Sequence, residues 1–126
     1  MLIHGLQKLT LLDYPGKVAC TVFTGGCNFR CPFCHNASLV LRPDEGEHIP
    51  EEELFALLKK RQGVLEGVCI TGGEPTLAFG LETLMARIKE MGYLVKLDTN
   101  GYRPDVLKSL CEQGLVDYVA MDIKGP

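Results

Sequence analysis

Four short β-rich runs, separated by stretches of helical periodicity, leave this chain few ways to fold. Residues 18–23, 67–71, 93–97 and 116–121 are largely apolar or β-branched and are bounded by glycine or polar turns. Pro50 opens a helix with Glu51, Glu52 and Glu53 in its first turn and Lys59, Lys60 and Arg61 in its last, the order that a helix dipole favours. Leu54, Leu57 and Leu58 give that helix its apolar stripe, and Gly63 stops it. A second helix carries Leu81, Leu84, Met85, Ile88 and Met91 on one face and closes at Gly92. A third opens at Pro104, carries Val106, Leu107 and Leu110, and ends at Gly114. Strands alternating with crossover helices predict an α/β fold with a parallel sheet and right-handed connections. Residues 2–12 read as an opening strand or hairpin arm ending at Pro15-Gly16, and residues 38–50 as a polar connection.

Polar clusters follow the β runs. A cysteine-bearing loop follows the first, Gly72-Gly73-Glu74-Pro75 the second, Asp98-Thr99-Asn100 the third and Asp122-Ile123-Lys124 the fourth. In a parallel barrel or half-barrel the C-terminal strand ends lie on one rim, where active sites are built. The spacing alone therefore predicts that all four clusters meet. Taken singly, most are weak signals. A Gly-Gly turn between strand and helix is commonplace, Asp and Asn are ordinary turn formers, and Asp122 with Lys124 could be a surface ion pair of little energetic value.

The loop is the strong signal. Cys27, Cys31 and Cys34 form a C-x3-C-x2-C pattern within eight residues, followed by His35 and Asn36. Thiolates so close can converge on one soft metal centre without moving any other element. A closed zinc site needs a fourth ligand. His35, next to Cys34, is badly placed to converge with it, while Cys20, Cys69 and Cys111 lie in apolar runs that read as buried core. Three ligands without an evident fourth suit an iron–sulfur cube with one open iron better than closed zinc.

The same loop, with Phe33 before its last cysteine, resembles the radical S-adenosylmethionine (SAM) signature. The longer run from Leu12-Asp13-Tyr14-Pro15-Gly16 through Thr24-Gly25-Gly26-Cys27 to Cys34-His35-Asn36 resembles the activating enzymes of glycyl-radical proteins, most closely the anaerobic ribonucleoside-triphosphate reductase activating proteins. The resemblance covers nearly the whole chain. It implies that Cys27, Cys31 and Cys34 hold a [4Fe-4S] cluster whose fourth iron binds the amino and carboxylate groups of SAM. It implies that Gly72, Gly73 and Glu74 bind the SAM amino group, that Phe33 lies beside the adenine, and that Asp98, Thr99, Asn100, Asp122 and Lys124 are further SAM contacts. Asp98 and Asp122 would contribute to a monovalent cation site near the SAM carboxylate. One electron from the reduced cluster, donated by a flavodoxin or ferredoxin, would cleave SAM to methionine and a 5′-deoxyadenosyl radical. That radical would take a hydrogen from the Cα of a glycine on a partner enzyme. No catalytic side chain is expected beyond the cluster and SAM. The alternatives are a radical SAM enzyme acting on a small molecule, such as a deazapurine-forming synthase, and a non-catalytic metal-binding module.

Bulk properties narrow the setting. With 126 residues and 46% hydrophobic content the chain can bury a real core, as one domain at most. A net charge of −3 offers no basic stripe to nucleic acid and no polybasic cluster to a membrane surface. Met1-Leu2-Ile3-His4 lacks the features of a signal peptide, so a reducing cytoplasm is expected, where six cysteines favour metal over disulfides. The expected domain is an incomplete radical SAM core: residues 1–16 form an N-terminal extension, and 17–126 supply the first four strands of a six-stranded partial barrel with three helices. The apolar fourth run would be an exposed edge if unpaired, so a truncated chain is expected rather than a minimal barrel that covers its edge by dimerising.

Overall fold

The computed structural model describes residues 3–24, 39–41, 49–72, 75–77, 80–99 and 103–121. Its elements are β1 (Gly5–Thr10), β2 (Ala19–Phe23), β3 (Leu39–Leu41), α1 (Glu51–Lys60), β4 (Gly67–Thr71), a short 3-10 turn (Pro75–Leu77), α2 (Leu81–Glu90), β5 (Leu94–Thr99), α3 (Pro104–Glu112) and β6 (Tyr118–Met121). They form one six-stranded sheet in the order β3-β1-β2-β4-β5-β6. The strands β2, β4, β5 and β6 run parallel, as the strand–helix alternation requires. The first strand pairs antiparallel with both β2 and β3. The fold is thus α/β, with a mostly parallel sheet of the kind that makes a partial radical SAM barrel.

The connection after the cysteine loop departs from expectation. Residues 38–50 are not simply a polar connection, because Leu39–Leu41 pairs with Gly5, Leu6 and Gln7 of β1. Ile49 adds a bridge to Ile3, its N–H donating to the Ile3 carbonyl at 2.7 Å. Three apolar residues are too few to display a strand's alternation, so the pairing decides the conformation where the local pattern could not. Two boundaries also move. The third parallel strand continues through Asp98 and Thr99, which pair with Ala120 and Met121, and the fourth begins only at Tyr118.

Alternation along the strands gives the sheet two unlike faces. Cys20, Val22, Val68, Ile70, Val95 and Leu97 join the apolar core together with Leu54, Leu58, Leu84, Met85, Ile88 and Leu110 of the helices. Full burial of each large aliphatic side chain there stabilises the fold by about 1.5–3 kcal/mol. Tyr93 fastens α1 to the sheet, its hydroxyl donating to the Leu58 carbonyl. Gly92 ends α2 with φ of 90°, a conformation for which glycine is the natural residue. Cys111 departs from expectation: it is exposed on α3, because the buried stripe of that helix runs through Leu110.

The opposite face, the inner one in a barrel, is polar. Gln7, Thr21, Cys69, Lys96 and Tyr118 stand in register across five strands. Asp13 and Tyr14 pack on it. Thr21 Oγ1 donates to Asp13 Oδ2 at 2.6 Å, and the Tyr14 ring lies 6.0 Å from that of Tyr118. Gly67 makes the seat for Tyr14, since a Cβ at residue 67 would stand 2.9 Å from Tyr14 Cε2 and 3.2 Å from the Leu94 carbonyl. Gly67 and Tyr118 are the first residues of their strands, so this turn covers the end of the sheet opposite the predicted rim.

Gly67→Ala should therefore destabilise the protein by about 1–3 kcal/mol through overpacking. Chemical denaturation measures it, and the penalty should shrink in a Tyr14→Ala background, where the ring no longer blocks the new methyl. An undiminished penalty in that background would place the clash elsewhere.

Candidate active site

The rim begins where β2 ends. Phe23 pairs with Thr71, and Thr24, the next residue, is tied to the end of β4 three times. Its N–H donates to the Thr71 carbonyl at 2.9 Å, while its Oγ1 lies 3.2 Å from that carbonyl and 3.4 Å from the carbonyl of Gly72. The cysteine loop leaves the sheet directly after Thr24, and the Gly-Gly loop begins at Gly72. A buried threonine thus pins the root of one predicted site loop to the root of the other. Gly72 has φ of 95°, a region in which an L side chain is strained, so glycine is required by the turn itself.

Asp98 stands one residue beyond the Ile70–Leu97 pair, at the same rim. Its side chain is 30% exposed and has both oxygens engaged. Lys96 Nζ donates to Oδ1 at 2.7 Å, and the Cys69 thiol donates to Oδ2 at 3.6 Å. Lys96 Nζ is also 3.9 Å from Cys69 Sγ, which closes a triangle on the inner face. Burial, reinforced by the neighbouring charge of Asp98, pushes the Cys69 pKa well above the ordinary thiol value, so the group stays a neutral donor. Burial alone would lower the Lys96 pKa, but the hydrogen bond to Asp98 and the charges around it reverse the direction, and Lys96 stays an ammonium. Thr99 is buried and alternates to the other side of β5, so its backbone, not its side chain, lies level with Asp98.

Of the predicted site residues, Gly72, Asp98 and Thr99 are therefore placed at the strand ends. Cys27, Cys31, Cys34, Phe33, Gly73, Glu74, Asn100, Asp122 and Lys124 lie outside the described residues. Among the described residues no group of three or more His, Cys, Asp or Glu could hold a metal ion. Cys20 is buried in the apolar core, whereas Cys69 is buried on the polar face, away from that core. Sequence reasoning missed Thr24 and Lys96. A threonine at a strand end carries no distinguishing signal. Lys96 did carry one: a charged residue inside an apolar run, two positions from Asp98 and hence on its side of the strand.

A rim of parallel strand ends, with a thiol-rich loop at the first and a carboxylate at the third, agrees with what comparison finds. The chain belongs to the radical SAM superfamily, whose model matches residues 21–126. Membership implies a [4Fe-4S] cluster and SAM. Gly72 and Asp98 suit that cofactor, the first by leaving backbone open to a ligand and the second by offering a partly exposed carboxylate to its amino or hydroxyl groups. Among individual relatives, a Methanocaldococcus jannaschii protein whose name places it provisionally among glycyl-radical enzyme activating enzymes is 39% identical over 98% of this chain and 50% of its own length. The pyruvate formate-lyase-activating enzyme of Clostridium pasteurianum is 31% identical over 97% of this chain and 52% of its own. The 7-carboxy-7-deazaguanine synthase of Thermococcus kodakarensis is 31% identical over 79% of this chain and 46% of its own. The chain spans about half the length of these relatives. Among the described residues no helix is long and apolar enough to cross a membrane.

Thr24→Val keeps the branched shape but removes the hydroxyl that bonds the Thr71 and Gly72 carbonyls. It should lower stability by about 0.5–1.5 kcal/mol, read as a lower denaturant midpoint with an unchanged m-value. A midpoint equal to that of the parent would show that the backbone bond alone holds the two loop roots together.

Proposed function

We propose that this chain is the radical SAM portion of a glycyl-radical enzyme activase, and that its partner is an anaerobic ribonucleoside-triphosphate reductase. The likeness to the M. jannaschii relative over 98% of the chain carries the activase reading. The choice of reductase rests on the resemblance of Asp13-Tyr14-Pro15-Gly16 and Cys34-His35-Asn36 to that group of activases. Cys27, Cys31 and Cys34 hold the cluster in this reading. When bound, the cluster and SAM supply a one-electron cleavage whose product removes a hydrogen atom from the Cα of a partner glycine. The electron comes from a flavodoxin or ferredoxin.

The side chains of this protein position and enclose. Thr24 fixes the loop that carries the thiolates relative to the Gly-Gly turn. Gly72 lets backbone approach the ligand, joined by Gly73 and Glu74. Asp98 and Asn100, the backbone at Thr99, and Asp122 with Lys124 complete the far wall, and Phe33 lies beside the adenine. Tyr14 covers the strand-start end of the inner face, and Asp13 holds Thr21 within the polar row. No proton-transfer pair is required, because the reaction moves a hydrogen atom rather than a proton.

Likeness to the deazaguanine synthase favours a second reading, a radical SAM enzyme acting on a small molecule, with support over 79% of the chain rather than 98%. Anaerobic incubation with SAM and dithionite should yield 5′-deoxyadenosine, and a purely structural metal module yields none. Paramagnetic resonance should then show a glycyl radical on the reductase. Deoxyadenosine formed without such a radical would move the protein to the small-molecule reading.

The ligand set has its own test. Ala at any one of Cys27, Cys31 or Cys34 should abolish the iron–sulfur absorbance after anaerobic reconstitution, while Cys69→Ala retains it. Loss of absorbance in folded Cys69→Ala protein would overturn the assignment.

A further inference from the structure

Lys96 is not among the residues that the resemblance assigns to the cofactor, yet among the described residues it is the charged group that Asp98 meets most closely, at 2.7 Å. Its side chain is only 9% exposed, so solvent and salt screen this pair far less than a surface bridge. Three observations bear on what it does there. First, Lys96 and Asp98 are i and i+2 on one strand, so the backbone itself holds their heads on the same face. Second, each oxygen of Asp98 accepts one bond, Oδ1 from the ammonium and Oδ2 from the Cys69 thiol, which leaves a lone pair on each for a further donor. Third, the nearby carboxylate of Asp13 is engaged by Thr21 Oγ1 at 2.6 Å and does not compete by direct contact for Lys96.

This donor set does not suit a loose alkali ion at Asp98. Such an ion binds through a ring of oxygen acceptors, and among the described residues the neighbours of the carboxylate are an ammonium and a thiol, both of them donors. An ion on Oδ1 would stand within a few ångströms of the Lys96 ammonium and be repelled by it. We propose that Lys96 is the built-in counter-cation of Asp98: a positioning residue that orients and charge-balances the carboxylate at the SAM site in place of a bound monovalent cation. The inference rests on the proposed reading of Asp98 as a SAM contact and adds the residue that sets its geometry and charge. At Asp98 it sets a group belonging to the chain where the resemblance implies a bound cation.

Equilibrium binding of labelled SAM to the anaerobically reconstituted chain tests it, in potassium and in choline buffers of equal ionic strength. The unmodified protein should bind SAM equally in the two, within about twofold. Asp98→Asn should weaken binding about tenfold or more. Lys96→Met should weaken it comparably, potassium should restore part of that loss, and Lys96→Arg should restore most of it. Lys96→Met added to Asp98→Asn should cost nothing further, because the lysine acts through the aspartate. A general structural defect would produce neither the potassium rescue nor this non-additivity. Marked dependence of the unmodified protein on potassium would overturn the proposal with no variant needed. So would additive losses in the double variant, or unaltered binding by Lys96→Met where Asp98→Asn is impaired. Unaltered binding by Asp98→Asn would instead remove Asp98 from the SAM site, and the counter-cation role with it.

Discussion

The two-residue period of the parallel strands is the constraint from which the site follows. On β2, β4 and β5, even positions of the first two and odd positions of the third carry Cys20, Val22, Val68, Ile70, Val95 and Leu97 into the helix-covered core. A register slip by one residue would exchange the two faces of a strand, and the apolar side makes such a slip costly. The helix-covered face therefore fixes what the inner face presents. Lys96 and Asp98 point the same way because Val95 and Leu97 are held the other way. Hydrophobic burial sets the geometry of polar groups that it does not touch.

Burying a polar row has its own requirements, since each group removed from water needs a partner. Thr21 finds Asp13, and Lys96, Asp98 and Cys69 satisfy one another. Gln7 Oε1 has no partner among the described residues, although its residue is buried. The Asp13–Tyr14 turn does two jobs at this face. It supplies an acceptor to Thr21, and it lays an aromatic ring over Gly67 beside Tyr118. The Tyr14 contacts lie at the strand starts, far from Thr24 and Gly72, whereas Asp13 reaches Thr21 at mid-strand, level with Cys69 and Lys96. The motif that helped to suggest an activase is, in this structure, a packing and hydrogen-bonding device.

How much of this was legible in the sequence depended on which signals were local. The helices around Leu54–Leu58, Leu84–Ile88 and Leu110 announced themselves by periodicity, and the four parallel strands by composition and spacing. The rim arrangement followed from topology alone, and Gly72 and Asp98 fall where it put them. β3 was illegible because three residues carry no periodicity, and only the partner strand defines it. Cys111 lies in an apolar run yet is exposed, because α3 buries Leu110 and the next position turns about 100° away from that face. Thr24 was missed because its value lies in two carbonyls some 48 positions away in sequence. Lys96 was readable in principle, yet a lone lysine in a strand is more often read as an edge or a solvated position than as an internal counter-charge.

The division of labour along the rim bears on why such different relatives resemble one chain. Reductive cleavage of SAM needs the same few things whatever radical acceptor follows: a fixed thiolate loop, open backbone at the second strand and a charge-balanced wall at the third. In the proposed reading Thr24, Gly72, and Lys96 with Asp98 serve those needs, and none of them has to recognise the hydrogen-atom donor. Recognition of a partner glycine or of a small molecule belongs to surfaces that close over the rim. Relatives named for glycyl-radical activation and for deazaguanine synthesis can therefore share this half of their length while differing in what the radical meets. In that reading this part of the chain settles how SAM is held. The substrate is then chosen by whatever covers a site that is already built.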